Sequence, residues 1–193
     1  MSAWDQTRRI EQEGIRDIEK FLRSRTDLYK DVIRLFEGQG VREVNERCGD
    51  FACTTTEGKT IFIDVKVEMK YTGRLFLETW SNLGHNRGWL DKVSADFIIY
   101  YFRDRGVFYL IDFPKLRTWA FGDREKVGRL EHFKELKQGK YIQRNTTCGR
   151  VVPISVIRDE VGCRVFYRNP AAPGGFGDFA GDYRDGERQL PLF

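Results

Sequence analysis

The sequence of 193 residues has no long apolar run. A membrane-spanning helix needs roughly 18 or more consecutive apolar residues, and no stretch of this chain approaches that length. Residues 1–9 are polar and charged, whereas a secretory signal would carry an apolar segment there. These absences argue against a membrane-spanning or secreted protein, and we expect the chain to be cytoplasmic.

Cysteine and histidine are also scarce, with four and two residues respectively. Cys48 and Cys53 are separated by four residues, and Cys148 and Cys163 by fourteen, which is not the tight spacing of a zinc ribbon. We therefore expect reduced structural thiols. His85 has no second histidine with supporting ligands nearby in the sequence, so a histidine-based nuclease site is not indicated.

The composition that is present is that of one folded domain with an appendage. The residues are 40% hydrophobic and 32% charged, a balance typical of globular proteins. From residue 169 the chain is rich in glycine, proline, alanine and aspartate, with too few aliphatic side chains to build a core. We predict a domain over residues 1–168, a flexible tether over 169–188 and a short terminal peptide over 189–193.

Hydrophobic periodicity predicts a mixed β-sheet flanked by helices, in an α/β or α+β domain. The predicted helical segments are residues 5–25, 26–38, 114–121 and 123–137, with a helical turn within 90–95. The predicted strands are residues 41–45, 50–56, 60–69, 73–80, 96–102, 107–113 and 149–157.

Residues 60–70, TIFIDVKVEMK, alternate between apolar and polar side chains. Side chains two residues apart on a strand share a face, so Asp64 and Lys66 lie side by side with Cα atoms roughly 6.5–7 Å apart. A tight turn at TEGK brings Asp50, at the start of the preceding strand, toward Asp64. Two converging carboxylates imply a cation, and oxygen ligands select a hard ion such as Mg²⁺ or Mn²⁺. Lys66 can orient or help deprotonate a water and offset phosphate charge, which is phosphodiester-hydrolysis chemistry.

A further carboxylate is predicted on the N-terminal helix. Glu11 falls in line with Ile15 and Ile18, near the centre of the apolar arc of that helix, where a carboxylate needs a specific role. Glu68 and Glu78, on nearby predicted strands, are alternatives for the same role.

A helix with Glu11, then Asp50, then a strand with Asp64-Val65-Lys66 resembles the PD-(D/E)xK nuclease superfamily, over roughly residues 10–113. The resemblance implies a restriction-endonuclease-like core, a mixed β-sheet flanked by helices. It also implies that Asp50, Asp64 and the carbonyl of Val65 bind the metal, that Lys66 is the catalytic lysine and that Glu11 is the helix carboxylate. The sequence departs from the name-giving motif in having Gly49 in place of proline and aspartate at position 64.

The loop HNRGWLDK offers a candidate DNA contact. Arg87 and Lys92 suit phosphate contacts, and Trp89 suits stacking against a base. The alternative is a loop whose tryptophan caps the core.

The chain ends with QLPLF, an apolar peptide after a polar tether. It resembles the motif by which bacterial replication and repair proteins bind the β sliding clamp. The resemblance implies that Gln189 hydrogen-bonds at the rim of the clamp's apolar cleft and that Leu190, Leu192 and Phe193 fill it. Pro191 departs from the serine or aspartate that is usual at the middle position. The alternative is a tail that folds back on its own domain or has no binding role.

Together these features predict a Mg²⁺- or Mn²⁺-dependent DNA nuclease of bacterial or phage origin, acting in DNA replication or repair and recruited by the sliding clamp. The alternative is a non-catalytic clamp- or DNA-binding accessory on a nuclease-like core. A nuclease acting on RNA or on a junction is a weaker third possibility, because one core supports several reactions.

Overall fold

The structure is a computed structural model that describes residues 3–35, 48–138 and 146–178. Within these ranges, none of the helices combines the length and the apolar composition that a bilayer crossing requires. The helices are α1 (Ala3–Ser24), α2 (Trp89–Lys92), α3 (Phe113–Phe121) and α4 (Ile154–Glu160), with 3₁₀ turns at Leu130–His132 and Pro173–Gly175. The strands are β1 (Tyr29–Arg34), β2 (Phe51–Thr55), β3 (Thr60–Glu68), β4 (Arg74–Asn82), β5 (Asn86–Arg87), β6 (Phe97–Phe102), β7 (Val107–Asp112), β8 (Glu135–Gln138), β9 (Thr147–Pro153), β10 (Cys163–Arg168) and β11 (Phe176–Asp178).

The larger sheet is mixed and has the strand order β1-β2-β3-β6-β7-β10-β11. Its β3–β6 pair is parallel, with Ile63 opposite Phe97 and Glu68 opposite Phe102, and the other pairs in this sheet are antiparallel. A parallel pair needs a crossover connection, and here β4, β5 and α2 lie on that connection. The mixed sheet with flanking helices that the sequence predicts is therefore confirmed.

A smaller sheet, β5-β4-β9-β8, covers one face of the larger sheet, and α1 covers the other. Ile15, Ile18 and Leu22 recur at helical spacing on α1 and are buried against Ile63 and Val65 of β3. This apolar stripe explains why the segment forms an amphipathic helix. Side chains alternate along a strand, so the polar residues of β3 point toward the smaller sheet.

The central strand β6 is apolar along its whole length because both of its faces are covered. Residues Ile98, Ile99, Tyr100, Tyr101 and Phe102 are all at most 2% exposed. Such a continuous apolar run is typical of a strand buried on both sides, as the sequence predicts.

The end of the described chain is part of the sheet. Arg168 pairs with Phe176, and β11 adds an outer strand to β10. Phe176 is buried and packs edge-on against Phe21 of α1 and Phe108 of β7. Residues 169–178 therefore differ from the predicted tether, because one aromatic side chain fixes this segment to the core. The rest of the predicted tether lies outside the described residues.

Three predicted elements differ from the structure. Residues 26–38 were expected to form a helix, but β1 pairs with β2 here, and the burial of Val32 between the exposed Asp31 and Ile33 follows the strand period. Residues 123–137 form a turn, a 3₁₀ turn and β8 in place of a helix. Residues 154–157, predicted as strand, begin α4. The predicted strand 41–45 lies outside the described residues.

The break after α3 has a specific cause. Gly122 has φ of 81°, a conformation that favours glycine, and it ends the helix. The carboxylate of Asp123 then accepts hydrogen bonds from the backbone N–H groups of Glu125 and Lys126. This local turn prevents residues 123–137 from continuing as helix, and β8 instead pairs with β9.

Candidate functional site

A cleft of about 510 Å³ opens where β2 begins beside β3. Its base contains polar and charged groups from the β2–β3 hairpin, namely Asp50, Asp64, Val65 and Lys66. One wall comes from α1 and the end of β1, with Arg8, Glu11, Gln12, Ile15, Arg34 and Leu35. The second wall comes from β4, β5 and α2, with Glu78, Ser81, Arg87, Trp89, Lys92 and Val93. The structure thus brings every residue predicted for the metal site and the DNA contact into one cleft.

Asp50 is held against β3 by two hydrogen bonds. Its backbone N–H donates to the carbonyl of Ile63 at 2.9 Å, and its Oδ2 accepts from the N–H of Val65 at 2.8 Å. The N–H and C=O of one strand residue point to the same side of the strand, so the carbonyl of Val65 also lies on the Asp50 side. The tight β2–β3 turn fixes this register and places Asp50 beside Asp64.

Gly49 allows this close approach. Its φ is 90°, and a Cβ at this position would lie 2.8 Å from Cβ of Asp64 and 2.9 Å from the carbonyl oxygen of Ile63. Proline, with φ fixed near −65°, cannot adopt this conformation. The departure from the name-giving motif at position 49 therefore has a local structural reason.

Asp64 and Lys66 form an ion pair at the base of the cleft. Asp64 is only 5% exposed, and its Oδ2 lies 2.9 Å from Nζ of Lys66. Lys66 is the one polar partner of this buried oxygen among the described residues. Buried charges in proteins are normally paired, and here Lys66 compensates the Asp64 carboxylate at a position that lines the cleft.

Lys66 is a charged group under the influence of two acids. Burial by itself would lower the pKa of Lys66, but the charges of Asp64 and Asp50 outweigh burial, and the pKa is raised above its ordinary value. Lys66 therefore carries a proton at neutral pH and presents a positive charge to the cleft.

Asp50 is the acid that the site perturbs most. Burial raises the pKa of Asp50 to about 7, and the charges of Asp64 and then Glu11 add to this, while Lys66 and the N–H of Val65 oppose it. Clustered acids raise one another's pKa when too little positive charge compensates them. Two carboxylates and a strand carbonyl are hard oxygen donors suited to Mg²⁺ or Mn²⁺, so the residues fit a divalent cation.

No three acidic, histidine or cysteine side chains converge as a ready-made metal-binding group within residues 3–35, 48–138 and 146–178. The donor set is instead a pair, Asp50 and Asp64, with Lys66 bound against it. Two further carboxylates, Glu11 and Glu78, lie on the cleft walls.

The three candidates for the third carboxylate separate clearly. Glu11 is exposed and lines the cleft, and its negative charge contributes to raising the pKa of Asp50. Glu78 also lines the cleft, and burial raises its pKa while Lys66 opposes that change. Glu68 accepts a hydrogen bond from the hydroxyl of Tyr100 at 3.0 Å and does not line the cleft. Glu11 and Glu78 thus remain as candidates.

Glu11 reaches the cleft because α1 lies very close to β3. A Cβ at Gly14 would lie 2.6 Å from Cγ1 of Val67, so only glycine allows this helix–strand distance. Glu11 is one turn before Gly14 on the same helix, at the end that extends over the cleft.

Arg87 and Trp89 are held in place on the second wall. The guanidinium of Arg87 lies 4.2 Å from the ring centroid of Trp80, and its Nε is 3.4 Å from Asp91. The ring of Trp89 is 6.1 Å from that of Phe113 and 5.5 Å from Nζ of Lys66. Trp89 therefore both packs against the core and lines the cleft, so the two interpretations of this residue are compatible.

Several cleft residues were not predicted from local sequence patterns, among them Arg8, Gln12 and Arg34. Arg8 is three residues before Glu11 on α1, so helical spacing could have identified it. Arg34 lies at the cleft because β1 is next to β2 in the sheet. Its Nη2 donates a hydrogen bond to Oε1 of Gln12. That contact is between distant parts of the sequence and has no local signal.

The predicted clamp-binding residues Gln189, Leu190, Leu192 and Phe193 lie outside the described residues. Comparisons of the chain with protein-family models, with curated proteins and with solved structures found no match.

Proposed function

We propose that this protein is a metal-dependent DNA nuclease that hydrolyses phosphodiester bonds. The observation that carries the proposal is the nearly buried Asp64, which pairs with Lys66 at 2.9 Å and lies with Asp50 at the base of one cleft. An acid pair of this kind beside a protonated lysine suits a hard divalent cation and a phosphate together.

In this proposal Asp50, Asp64 and the carbonyl of Val65 hold Mg²⁺ or Mn²⁺, with Glu11 or Glu78 as a further carboxylate. When bound, the ion would neutralise charge on the phosphate and act as a Lewis acid. The amide of Val65 keeps the Asp50 carboxylate oriented toward the cleft. Orientation of this kind, fixed before the substrate arrives, is the usual source of electrostatic catalysis.

Lys66 contributes a positive charge at the reacting phosphate. Because its pKa is raised, it is an ammonium in the free protein and donates a hydrogen bond to a phosphate oxygen. Cationic residues of the two walls, including Arg8, Arg34, Arg87 and Lys92, line the cleft, and in this proposal they contact the DNA backbone. Phosphate contacts of this kind position the nucleic acid without reading its sequence.

We further propose that the terminal QLPLF binds the β sliding clamp and brings the enzyme to DNA during replication or repair in the cytoplasm. A short apolar peptide binds weakly, and tethering raises the effective concentration of the enzyme at clamp-loaded DNA. The nuclease domain then does not need a high affinity for DNA, which agrees with the modest net charge of +4.

The test is a cleavage assay with Mg²⁺ or Mn²⁺ on single-stranded, duplex, flapped and branched DNA. Wild-type protein should cleave at least one of these substrates, and EDTA should stop cleavage. Lys66→Ala should abolish cleavage, whereas Lys59→Ala, in the turn at the other end of the hairpin, should not. A wild-type protein that binds DNA but cleaves none of the substrates would instead be a DNA-binding accessory.

A further inference from the structure

The cleft accepts only a narrow ligand, and its chemistry limits what that ligand is. Its volume of about 510 Å³ is in the range of a pocket for one small molecule. A B-form duplex cannot enter such a space as a whole, so its stacked bases would stay outside the cleft. Asp64 at the base is 5% exposed, so a phosphate must enter the cleft to reach it.

Trp89 gives the cleft a second binding property. Among the described residues that line the cleft, it is the one aromatic side chain. Nζ of Lys66 lies over its ring, 5.5 Å from the centroid, so a group stacked on this face would replace that contact and lie next to the acid–lysine pair. A nucleotide carries both a flat aromatic base and a phosphate, so it matches a cleft that has an aromatic ring beside an acid–lysine pair.

The Trp89 ring is also preorganised. Trp89 is the first residue of α2, and its ring packs against Phe113 of α3. The preceding residue, Gly88, lies so close to Glu78 that a Cβ would clash with the carbonyl oxygen of Glu78. Rigid aromatic residues bind at a low cost in conformational entropy. Bases of a duplex are stacked on each other and are not available to such a ring, whereas bases of a single strand are.

Resting on the proposed function, we infer that the cleft binds a single DNA strand, with the base next to the scissile phosphate stacked on Trp89. The enzyme then acts on single-stranded segments, flaps or frayed ends, and an intact duplex must open before it is cleaved.

Binding can be measured without cleavage. A fluorescein-labelled single strand of about 20 nucleotides, longer than a typical binding site, and a duplex of the same sequence are titrated with wild-type protein in EDTA, with fluorescence anisotropy as the readout. We expect the strand to bind at least about tenfold more tightly than the duplex. Equal or tighter binding of the duplex would overturn the inference.

Substitutions at Trp89 then test the stacking contact. Trp89→Leu keeps an apolar group against Phe113 but removes the flat ring, and we expect about tenfold weaker strand binding with little change for duplex. Trp89→Phe keeps a ring and should retain most of the affinity. Trp119→Leu, at a tryptophan that packs against Phe133 away from the cleft, is the control, and thermal unfolding checks that each variant is folded.

Unchanged strand binding in folded Trp89→Leu would overturn the stacking contact. These measurements also separate the two proposals. A wild-type protein that binds the strand through Trp89 but cleaves no DNA in Mg²⁺ would remove the nuclease function and support the strand-binding site. A protein that cleaves intact duplex as fast as single strands would support the nuclease function and overturn the inference.

Discussion

Nζ of Lys66 lies 2.9 Å from Oδ2 of Asp64 at the base of the cleft that also contains Asp50. The ammonium of Lys66 thus supplies the positive charge beside the two acids, Asp64 and Asp50, when no cation is bound. A buried carboxylate without a counter-charge is strongly destabilising. The ion pair therefore stabilises the folded protein in the absence of a cation, and it also determines how the site responds when one is added.

Removal of the lysine charge should destabilise the protein and increase its response to a cation. We expect Lys66→Met to lower the free energy of unfolding by about 2 kcal/mol. This loss is smaller than that for breaking a fully buried ion pair, because the Lys66 side chain keeps 28% exposure. Added Mn²⁺ should raise the melting temperature of this variant more than that of wild type, because the repelling charge is gone. Thermal unfolding with and without Mn²⁺ measures both effects, with the exposed Lys59→Met as control. Equal stability of Lys66→Met and Lys59→Met would contradict the prediction.

The raised pKa of Asp50 predicts a pH dependence of stability in EDTA. Burial raises this pKa from 3.8 to about 7, so between these values the folded state binds more protons than the unfolded state. The stability that comes from protonated Asp50 in the folded state is fully present below about pH 4 and is lost as the pH rises through 7. We expect wild type to lose up to about 1.4 kcal/mol per pH unit relative to Asp50→Asn in this window.

Urea unfolding of wild type and Asp50→Asn at a series of pH values between about 4 and 8 gives the comparison. Asparagine can still accept the hydrogen bond from Val65, so packing is retained. Parallel stability profiles for the two proteins would show that Asp50 does not titrate in this range.

Substitution of Gly49 should destabilise the protein through a steric clash, and Gly58 provides a control for the backbone strain alone. Gly49 and Gly58 have similar φ values, 90° and 86°, but an added Cβ meets Asp64 and Ile63 at position 49 and no atom within 4 Å at position 58. Both alanine variants pay the backbone strain of roughly 1–2 kcal/mol. We expect Gly49→Ala to be less stable than Gly58→Ala by about another 1–3 kcal/mol in urea unfolding. Equal losses would mean that the hairpin shifts freely at this point.

Local patterns predicted the base of the cleft because its residues are close in sequence. The alternation of residues 60–70 put Asp64 and Lys66 on one face, and the short turn of the β2–β3 hairpin set the register of Asp50. Glu11 was identified by helical spacing alone. Its position over the cleft depends on the close contact of Gly14 with Val67, which no local pattern indicates.

Other features depend on contacts that are distant in sequence. Strand β1 is an edge strand in which Val32 is buried while Ile33 is 52% exposed, so the alternation of its apolar residues is weak. Residues 135–138 have a charge pattern compatible with a helix, but pairing with β9 places them in the smaller sheet. Tertiary context often overrides local propensity in this way. Phe176 is likewise a single aromatic in a glycine-rich segment, and its burial depends on Phe21 and Phe108.

The choice of third carboxylate can be tested by cation affinity. Glu11→Gln and Glu78→Gln change residues that line the cleft, and Glu68→Gln changes one that bonds to Tyr100 instead. We expect one of the first two to weaken Mn²⁺ binding by about tenfold, consistent with loss of one charged ligand, and Glu68→Gln to leave it unchanged. Isothermal titration calorimetry gives the affinities. An effect of Glu68→Gln equal to that of the others would indicate a general electrostatic influence and not a ligand.

The terminal peptide should affect recruitment without affecting chemistry. Deletion of residues 189–193 removes Gln189, Leu190, Leu192 and Phe193 and changes none of the described residues that line the cleft, so cleavage of free DNA should be unchanged. Retention on immobilised β sliding clamp should be lost, and on clamp-loaded DNA the cleavage rate should fall, because the tethered enzyme no longer has a raised effective concentration. Replacement of Leu192 and Phe193 by alanine gives the same test in a full-length chain, with Pro191→Ser as the matched control that keeps the apolar anchors. Undiminished clamp retention after the deletion would assign the tail a different role and leave the nuclease proposal to the cleft alone.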